Sequence, residues 1–231
     1  MRYKNIKSGI FLKRPNRFIA KVLIDGNEET VHVKNTGRCK ELLVNGATVY
    51  LEKSENPSRK TKFDLIAVEK SCRNGNKILI NIDSVAPNEV AFEWISRSGI
   101  FSENAVVKRE VFFGHSRFDL YVRDGERRAF VEVKGVTLEN DGKAMFPDAP
   151  TERGIKHLSS LVSCISAGYE AYVLFVIQMK GVHSFEPNDE THKAFGDALR
   201  EASKAGVKIL VRDCIVTSDS LTIDKEIEVN I

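Results

Sequence analysis

The sequence predicts two units, a small OB-like β-barrel followed by a mixed α/β sheet domain. Three observations carry this reading. Residues 1–84 hold short runs rich in Val, Ile and aromatics, broken by Gly- and Asn-containing turns, and many short strands in so brief a span make a small barrel. From Pro87 the periodicity changes to strand, helix, strand, helix, strand, an order that favours a partly parallel sheet. The charge changes with it: residues 1–84 carry 17 Lys and Arg against 9 Asp and Glu (+8), residues 85–231 carry 18 against 23 (−5), and together they make the chain's +3.

Each element has a local reason. Arg17–Ile24 (RFIAKVLI), Thr30–Lys34 and Ala47–Glu52 have strand composition; Asp25-Gly26-Asn27 is a hairpin signal and Asn45-Gly46 a second turn. Phe63–Lys70 and Lys77–Ile82 continue the pattern across Asn74-Gly75, and the cationic Ser54–Lys62 reads as a loop. A boundary at 82–87 divides the chain into 1–84 and 85–231. In Pro87–Ser96, a leading Pro and Val90, Ala91, Trp94 and Ile95 at helical spacing predict a helix. Val106–Phe113, Arg117–Val122 and Arg128–Lys134 read as strands. Thr151–Ala167 is a helix with a stripe of Ile155, Leu158, Leu161, Val162 and Ile165, stopped by Gly168. Tyr172–Gln178 is an unbroken apolar run, as a strand covered on both faces requires. A helix over Glu190–Ala205 leads through Gly206 to a strand at Val207–Val211.

At 231 residues, 42% hydrophobic and 29% charged, the chain can bury an ordinary globular core. No apolar run reaches membrane-spanning length, and the first residues lack the apolar segment of a secretion signal. The expectation is therefore a cytoplasmic protein without a membrane partner. Cys39, Cys72, Cys164 and Cys214 are scattered, with no CxxC pair; they read as reduced thiols rather than zinc ligands. The basic first half points to a polyanion partner, although a merely solvated basic surface fits the same count. The oligomeric state is left open.

Chemistry concentrates in RFDLYVRDGERRAFVEVKG, Arg117 to Gly135. Alternation puts Arg117, Asp119 and Tyr121 on one strand face, with Phe118, Leu120 and Val122 behind, and Phe130, Glu132 and Lys134 on one face of the next strand. A two-residue turn at Asp124-Gly125 sets Asp119 opposite Phe130 and makes Asp119 and Glu132 diagonal neighbours, roughly 7–8 Å apart. Two carboxylates so placed suit Mg²⁺ or Mn²⁺, and Lys134 points at the same spot. A solvated hairpin with a cross-strand ion pair fits the same spacing. No catalytic Ser-His-Asp order and no phosphate-binding glycine loop is present, so the nucleophile expected in any reaction is water.

The pattern resembles the PD-(D/E)xK nuclease superfamily. Over nearly its full length the chain also resembles the sugar fermentation stimulation protein A family, through RFIA (17–20), VHVKNTGR (31–38), RFDL (117–120), EVKGVTL (132–138) and FPDAPTERGIKHL (146–158). The resemblance implies an N-terminal OB-like domain, a restriction-endonuclease-like second domain, and DNA binding with little sequence preference. By position Asp119 and Glu132 match the metal-binding acids and Lys134 the motif lysine; Glu110 stands where many such nucleases place a further acid, or is an exposed strand residue. Two functions follow: a divalent-metal nuclease acting on DNA, with RNA as the other substrate, or a non-catalytic DNA-binding regulator of sugar metabolism.

Secondary candidates surround this set. Glu152, Lys156 and Ser159 share the polar face of the second helix; Glu152 and Lys156 form a helix ion pair or, with Arg153, line the site. Asp148 reads as a helix N-cap and His157 as a helix-surface residue. In the first unit Arg14, Arg17, Arg38 and Lys40 with Phe11 and Phe18 match the cation and aromatic mix that OB folds offer to nucleic acid; Arg117 extends the set in the second. Asn35-Thr36-Gly37 reads as a turn rather than a contact.

Overall fold

The computed structural model describes residues 1–35, 37–72 and 75–231. Thr36 and Asn74 of the expected turns Asn35-Thr36-Gly37 and Asn74-Gly75 lie outside the described residues. The first unit contains β1 (Ile6–Asn16), β2 (Ile19–Ile24), β3 (Asn27–Val33), β4 (Thr48–Lys53), β5 (Phe63–Ser71) and β6 (Lys77–Asn81). Pairing runs β1-β2-β3-β5-β4 and back to β1, closing a five-stranded OB-like barrel, with β6 added outside β5. Closure leaves no open edge among those five strands. Asp25 and Gly26 both have positive φ, 50° and 81°, the geometry that lets a two-residue loop follow the twist of β2 and β3. β1 is absent from the sequence expectation because only Gly9 and Phe11 are buried in it, among many cations, leaving little alternation to detect.

The second unit runs α1 (Ala86–Ile95), β7 (Val106–Phe113), β8 (Ser116–Asp124), β9 (Arg127–Val136), β10 (Leu138–Asn140), β11 (Lys143–Phe146), α2 (Glu152–Ser166), β12 (Glu170–Ile177), β13 (Ser184–Pro187), α3 (Asp189–Lys204), β14 (Lys208–Val216), β15 (Leu221–Glu226) and β16 (Glu228–Val229). Its main sheet has the order β15-β14-β12-β9-β8-β7. β9, β12 and β14 are parallel, while β7, β8 and β15 pair antiparallel. β12 is central and buried in every residue but its first, which explains its unbroken apolar run. A second sheet, β10-β11-β13-β16, has strands too short to show a period.

α1 covers one face of the main sheet over Leu120, Val131 and Leu174. α2 covers the other, over Phe130 and Phe175, and α3 packs against α2 and β13 with its own Phe195 in the same core, which runs on into the barrel interior. A buried polar seam joins the units: Asn81 donates to the Tyr3 hydroxyl at 2.9 Å, and Gln178 donates to Asn81 Oδ1 at 2.9 Å and to the Asp83 carbonyl at 3.1 Å. The chain start sits on the second unit, with the Met1 amino group 2.6 Å from Glu93 and the Tyr3 amide donating to the Asp219 carbonyl. Among the described residues no helix is long and apolar enough to cross a membrane.

Candidate functional site

The hairpin that carries the site is built differently from the sequence expectation. Asp124 pairs with Arg127, so the loop is Gly125-Glu126, with Gly125 at φ 59°. Glycine first in a two-residue loop satisfies a type II′ turn, whereas a loop at Asp124-Gly125 would have put positive φ on Asp124. Asp124 instead extends β8, and its carboxylate accepts the Ser102 amide at 2.9 Å and hydroxyl at 2.5 Å. The pairing therefore shifts by two residues. Each side chain on β9 keeps its face, and Asp119 stands level with Glu132 rather than Phe130.

The ladder between β8 and β9 stops at Leu120 and Val131. Beyond that point Asp119 takes the place of a strand partner: its Oδ2 accepts the Val133 amide at 2.7 Å, and its Oδ1 accepts from Asn88 of α1 at 2.7 Å. Strict alternation also breaks here, because Phe118 packs with Phe130 beneath α2 while Leu120 and Val122 join the core beneath α1. The expected shared face of Phe118, Leu120 and Val122 is thus corrected. On β7, Glu110 opposite this break has φ 57°, a left-handed conformation unusual for a non-glycine residue. Two strands bend together and leave Asp119 projecting into the gap.

Glu132 is 3% exposed and lies at the other side of that gap. Its Oε1 accepts from Lys134 Nζ at 2.6 Å and is also hydrogen-bonded by His157 Nδ1, while its Oε2 is buried without a partner among the described residues. Arg153 donates to His157 Nε2 at 3.4 Å; that contact makes Nε2 the acceptor and leaves the ring proton on Nδ1 for Glu132. Burial pushes the Asp119 carboxyl above its ordinary range, and the Glu132 charge adds to the rise. Burial works the same way on Glu132, but the His157 hydrogen bond and the Lys134 ammonium overcome it and hold Glu132 below its ordinary value. The pair is asymmetric, with one carboxylate held by an ammonium and an imidazole N–H and the other raised by its neighbour.

His157 is the site residue that sequence reasoning misplaced. The buried stripe of α2 is Gly154, His157, Leu158, Leu161 and Cys164, rotated from the expected one. The signal was available, because His157 stands i+3 from Gly154 and i−4 from Leu161. Asn88 was missed because a lone amide in the first turn of a helix carries no pattern.

Other candidates fall outside this cluster. Glu110 pairs with Arg117 at 2.8 Å, and both are about half exposed. Glu152 lies 3.5 Å from His192 rather than pairing with Lys156, and Ser159 donates to the Ile155 carbonyl. Lys156 is exposed on α2, one residue before His157. The N-cap of α2 is Thr151, whose side chain accepts from the Gly154 amide at 3.0 Å; Asp148 lies upstream, exposed.

The barrel cations divide by role. Arg14 donates to the carbonyls of Arg17, Asn35, Gly37 and Arg38 at 2.6–2.8 Å, so it clamps two loops and has no donor left over for a ligand among its terminal nitrogens. Phe11 is core, at 2% exposure. Arg17, Arg38 and Lys40 are not buried, and the Arg17 guanidinium lies 5.2 Å from the ring of Phe18, itself 47% exposed. With Lys13 they line an open cleft of about 490 Å³ that has no carboxylate in its wall.

An OB-like barrel joined to a mixed sheet, with paired carboxylates where two strands part, defines a barrel-plus-restriction-endonuclease-like protein. The family model described as SfsA N-terminal OB domain matches residues 12–82, and that described as Sugar fermentation stimulation protein RE domain matches residues 85–220. The chain belongs to the sugar fermentation stimulation protein family. It is 60% identical to the sugar fermentation stimulation protein homolog of Desulfitobacterium hafniense, covering 96% of this chain and 94% of that one. The Clostridium beijerinckii homolog is 55% identical, with 99% of each chain covered. A solved structure of Pyrococcus furiosus SfsA in complex with Ca²⁺ is 28% identical, covers 100% of this chain and 98% of that one, and superposes with a TM-score of 0.85.

Proposed function

We propose that this protein binds nucleic acid, DNA first and RNA as the other substrate, and hydrolyses it with Mg²⁺ or Mn²⁺ held by Asp119 and Glu132. The observation that carries this reading is the buried Oε2 of Glu132, without a partner among the described residues, beside the half-buried carboxylate of Asp119. An unpaired buried oxygen costs about 1–3 kcal/mol, and a cation between the two acids would satisfy it and relieve their repulsion. Among the described residues no group of three or more His, Cys, Asp and Glu is placed to hold a metal; a two-acid site suits Mg²⁺, which keeps most of its waters. The Ca²⁺ in the Pyrococcus furiosus relative is likewise a hard, oxygen-seeking ion.

Bound there, such an ion supplies an acidified water and a Lewis acid for the phosphate. The chain's own residues do the rest. Asn88 and the Val133 amide hold Asp119 in the gap, and His157 fixes the orientation of Glu132. Lys134 is the ammonium placed to meet the charge that develops on a phosphate oxygen. Arg17, Arg38 and Lys40 offer backbone contacts and Phe18 a stacking surface.

Single- and double-stranded DNA and RNA should be incubated with either metal. Products from the native protein and none from Asp119→Ala support the reading; equal yields, or none from either, remove hydrolysis. A non-catalytic DNA-binding regulator is the second reading. It is favoured by the two donors on Glu132 Oε1, the Lys134 ammonium and the His157 Nδ1–H, which hold the site together without a metal. Salt-sensitive DNA binding without cleavage selects it.

A further inference from the structure

Between the barrel and the second unit lies a pocket of about 160 Å³, walled by Asn35 and Gly37 on one side, Gly135 and Thr137 at the end of β9, and Phe146 and Asp148 before α2. Two glycines keep it open: a Cβ on Gly37 would lie 2.7 Å from Asp148 Oδ2, and one on Gly135 would lie 2.6 Å from Gln178 Oε1. The pocket begins one residue after Lys134, so it adjoins the site described above.

Its polar groups are not equivalent. Asn35 already donates to the Ile82 carbonyl and accepts from the Gly37 amide, and the Gln178 amide nitrogen is committed to Asn81 and Asp83. The Asp148 carboxylate, in contrast, makes no hydrogen bond or ion pair with a described residue. A free carboxylate offers acceptors alone. The side chains of Met145 and Phe146 supply apolar wall beside it, against which a flat ring can lie.

We infer that this pocket receives one unstacked base of the bound strand and favours guanine; the inference rests on the nucleic-acid reading above. An unstacked base exposes its pairing edge to the protein. Guanine presents N1–H and the 2-amino group side by side, two parallel donors that match a carboxylate as the two arms of an arginine do. Adenine and cytosine present a donor beside an acceptor, and the acceptor would face the carboxylate unpaired. Thymine sets its single N–H between two carbonyls that repel the charge.

The test is fluorescence anisotropy with labelled thymidine oligomers, all-thymidine or carrying one deoxyguanosine at each position in turn, in chelator so that nothing is cleaved. The guanine-containing oligomers should bind about tenfold more tightly at one favoured position. Inosine, which lacks the 2-amino group, should lose most of that gain. Asp148→Asn should abolish the preference and leave all-thymidine affinity unchanged; the exposed, unpartnered side chain makes this variant safe for folding. Equal affinity for all oligomers, or a guanine preference that survives Asp148→Asn, overturns the inference while leaving the nucleic-acid reading intact. Failure to bind any oligomer overturns both.

Discussion

Replacing Asp119 by asparagine separates a metal site from a structural ion cluster. The Val133 amide can still donate to the side-chain carbonyl that Asp119→Asn introduces, and Asn88 can turn its own amide to accept from the new NH₂, so no hydrogen bond need be lost. What disappears is a half-buried carboxylate whose pKa is raised by desolvation and by Glu132. A carboxyl whose folded pKa lies above its unfolded one costs stability at neutral pH. Without metal, Asp119→Asn should therefore be as stable as the native chain or more so. With Mn²⁺ at a hundred times its dissociation constant the native protein should gain about 2.7 kcal/mol, roughly 5–11 °C in Tm for a chain of this length, and the variant almost none. Differential scanning fluorimetry with and without Mn²⁺ measures both. An equal metal shift in the two proteins would refute the site, and a metal-free loss of more than about 2 kcal/mol would show that Asp119 is structural.

Four further outcomes are expected. His157→Phe keeps an aromatic ring against Phe118 but frees Glu132, and should weaken Mn²⁺ binding by about 10–100-fold in calorimetry, with His157→Gln restoring part of it. Arg14→Lys should lower stability by about 1–3 kcal/mol, because an ammonium cannot reach four carbonyls in fork geometry; Arg17→Ala should leave stability unchanged and reduce the salt slope of DNA binding by about 1. Asp64 is 3% exposed, and despite burial its hydrogen bonds from Arg59 and His32, with the Lys34 charge, hold it at about 2, below its ordinary 3.8. Its contribution is present above the unfolded value and lost as pH falls through the folded one. Asp64→Asn should remove about 2 kcal/mol at neutral pH and flatten the acid-unfolding limb between about pH 4 and pH 2 in chemical denaturation.

Local pattern determined much of this molecule. Turn chemistry and strand composition laid out five of the six strands of the first unit, and hydrophobic period located all three helices and the buried β12. The residue types at 119, 132 and 134 singled out the candidate site, an acid and an ammonium two residues apart on one strand and a second acid on its hairpin partner, while a cross-strand ion pair fitted the same spacing. The tertiary structure decided where those groups meet. One glycine's choice of turn position moved the β8–β9 register by two residues, and the parting of those strands turned Asp119 from a face residue into a group that accepts the Val133 amide. It also decided which cations are free, since Arg14 and Arg17 read alike in sequence and only the packing of loops around Arg14 occupies its donors. His157 and Asn88 reach the site from helices far along the chain, and such partnerships arise when elements pack against one another, where spacing along the chain carries no information about distance.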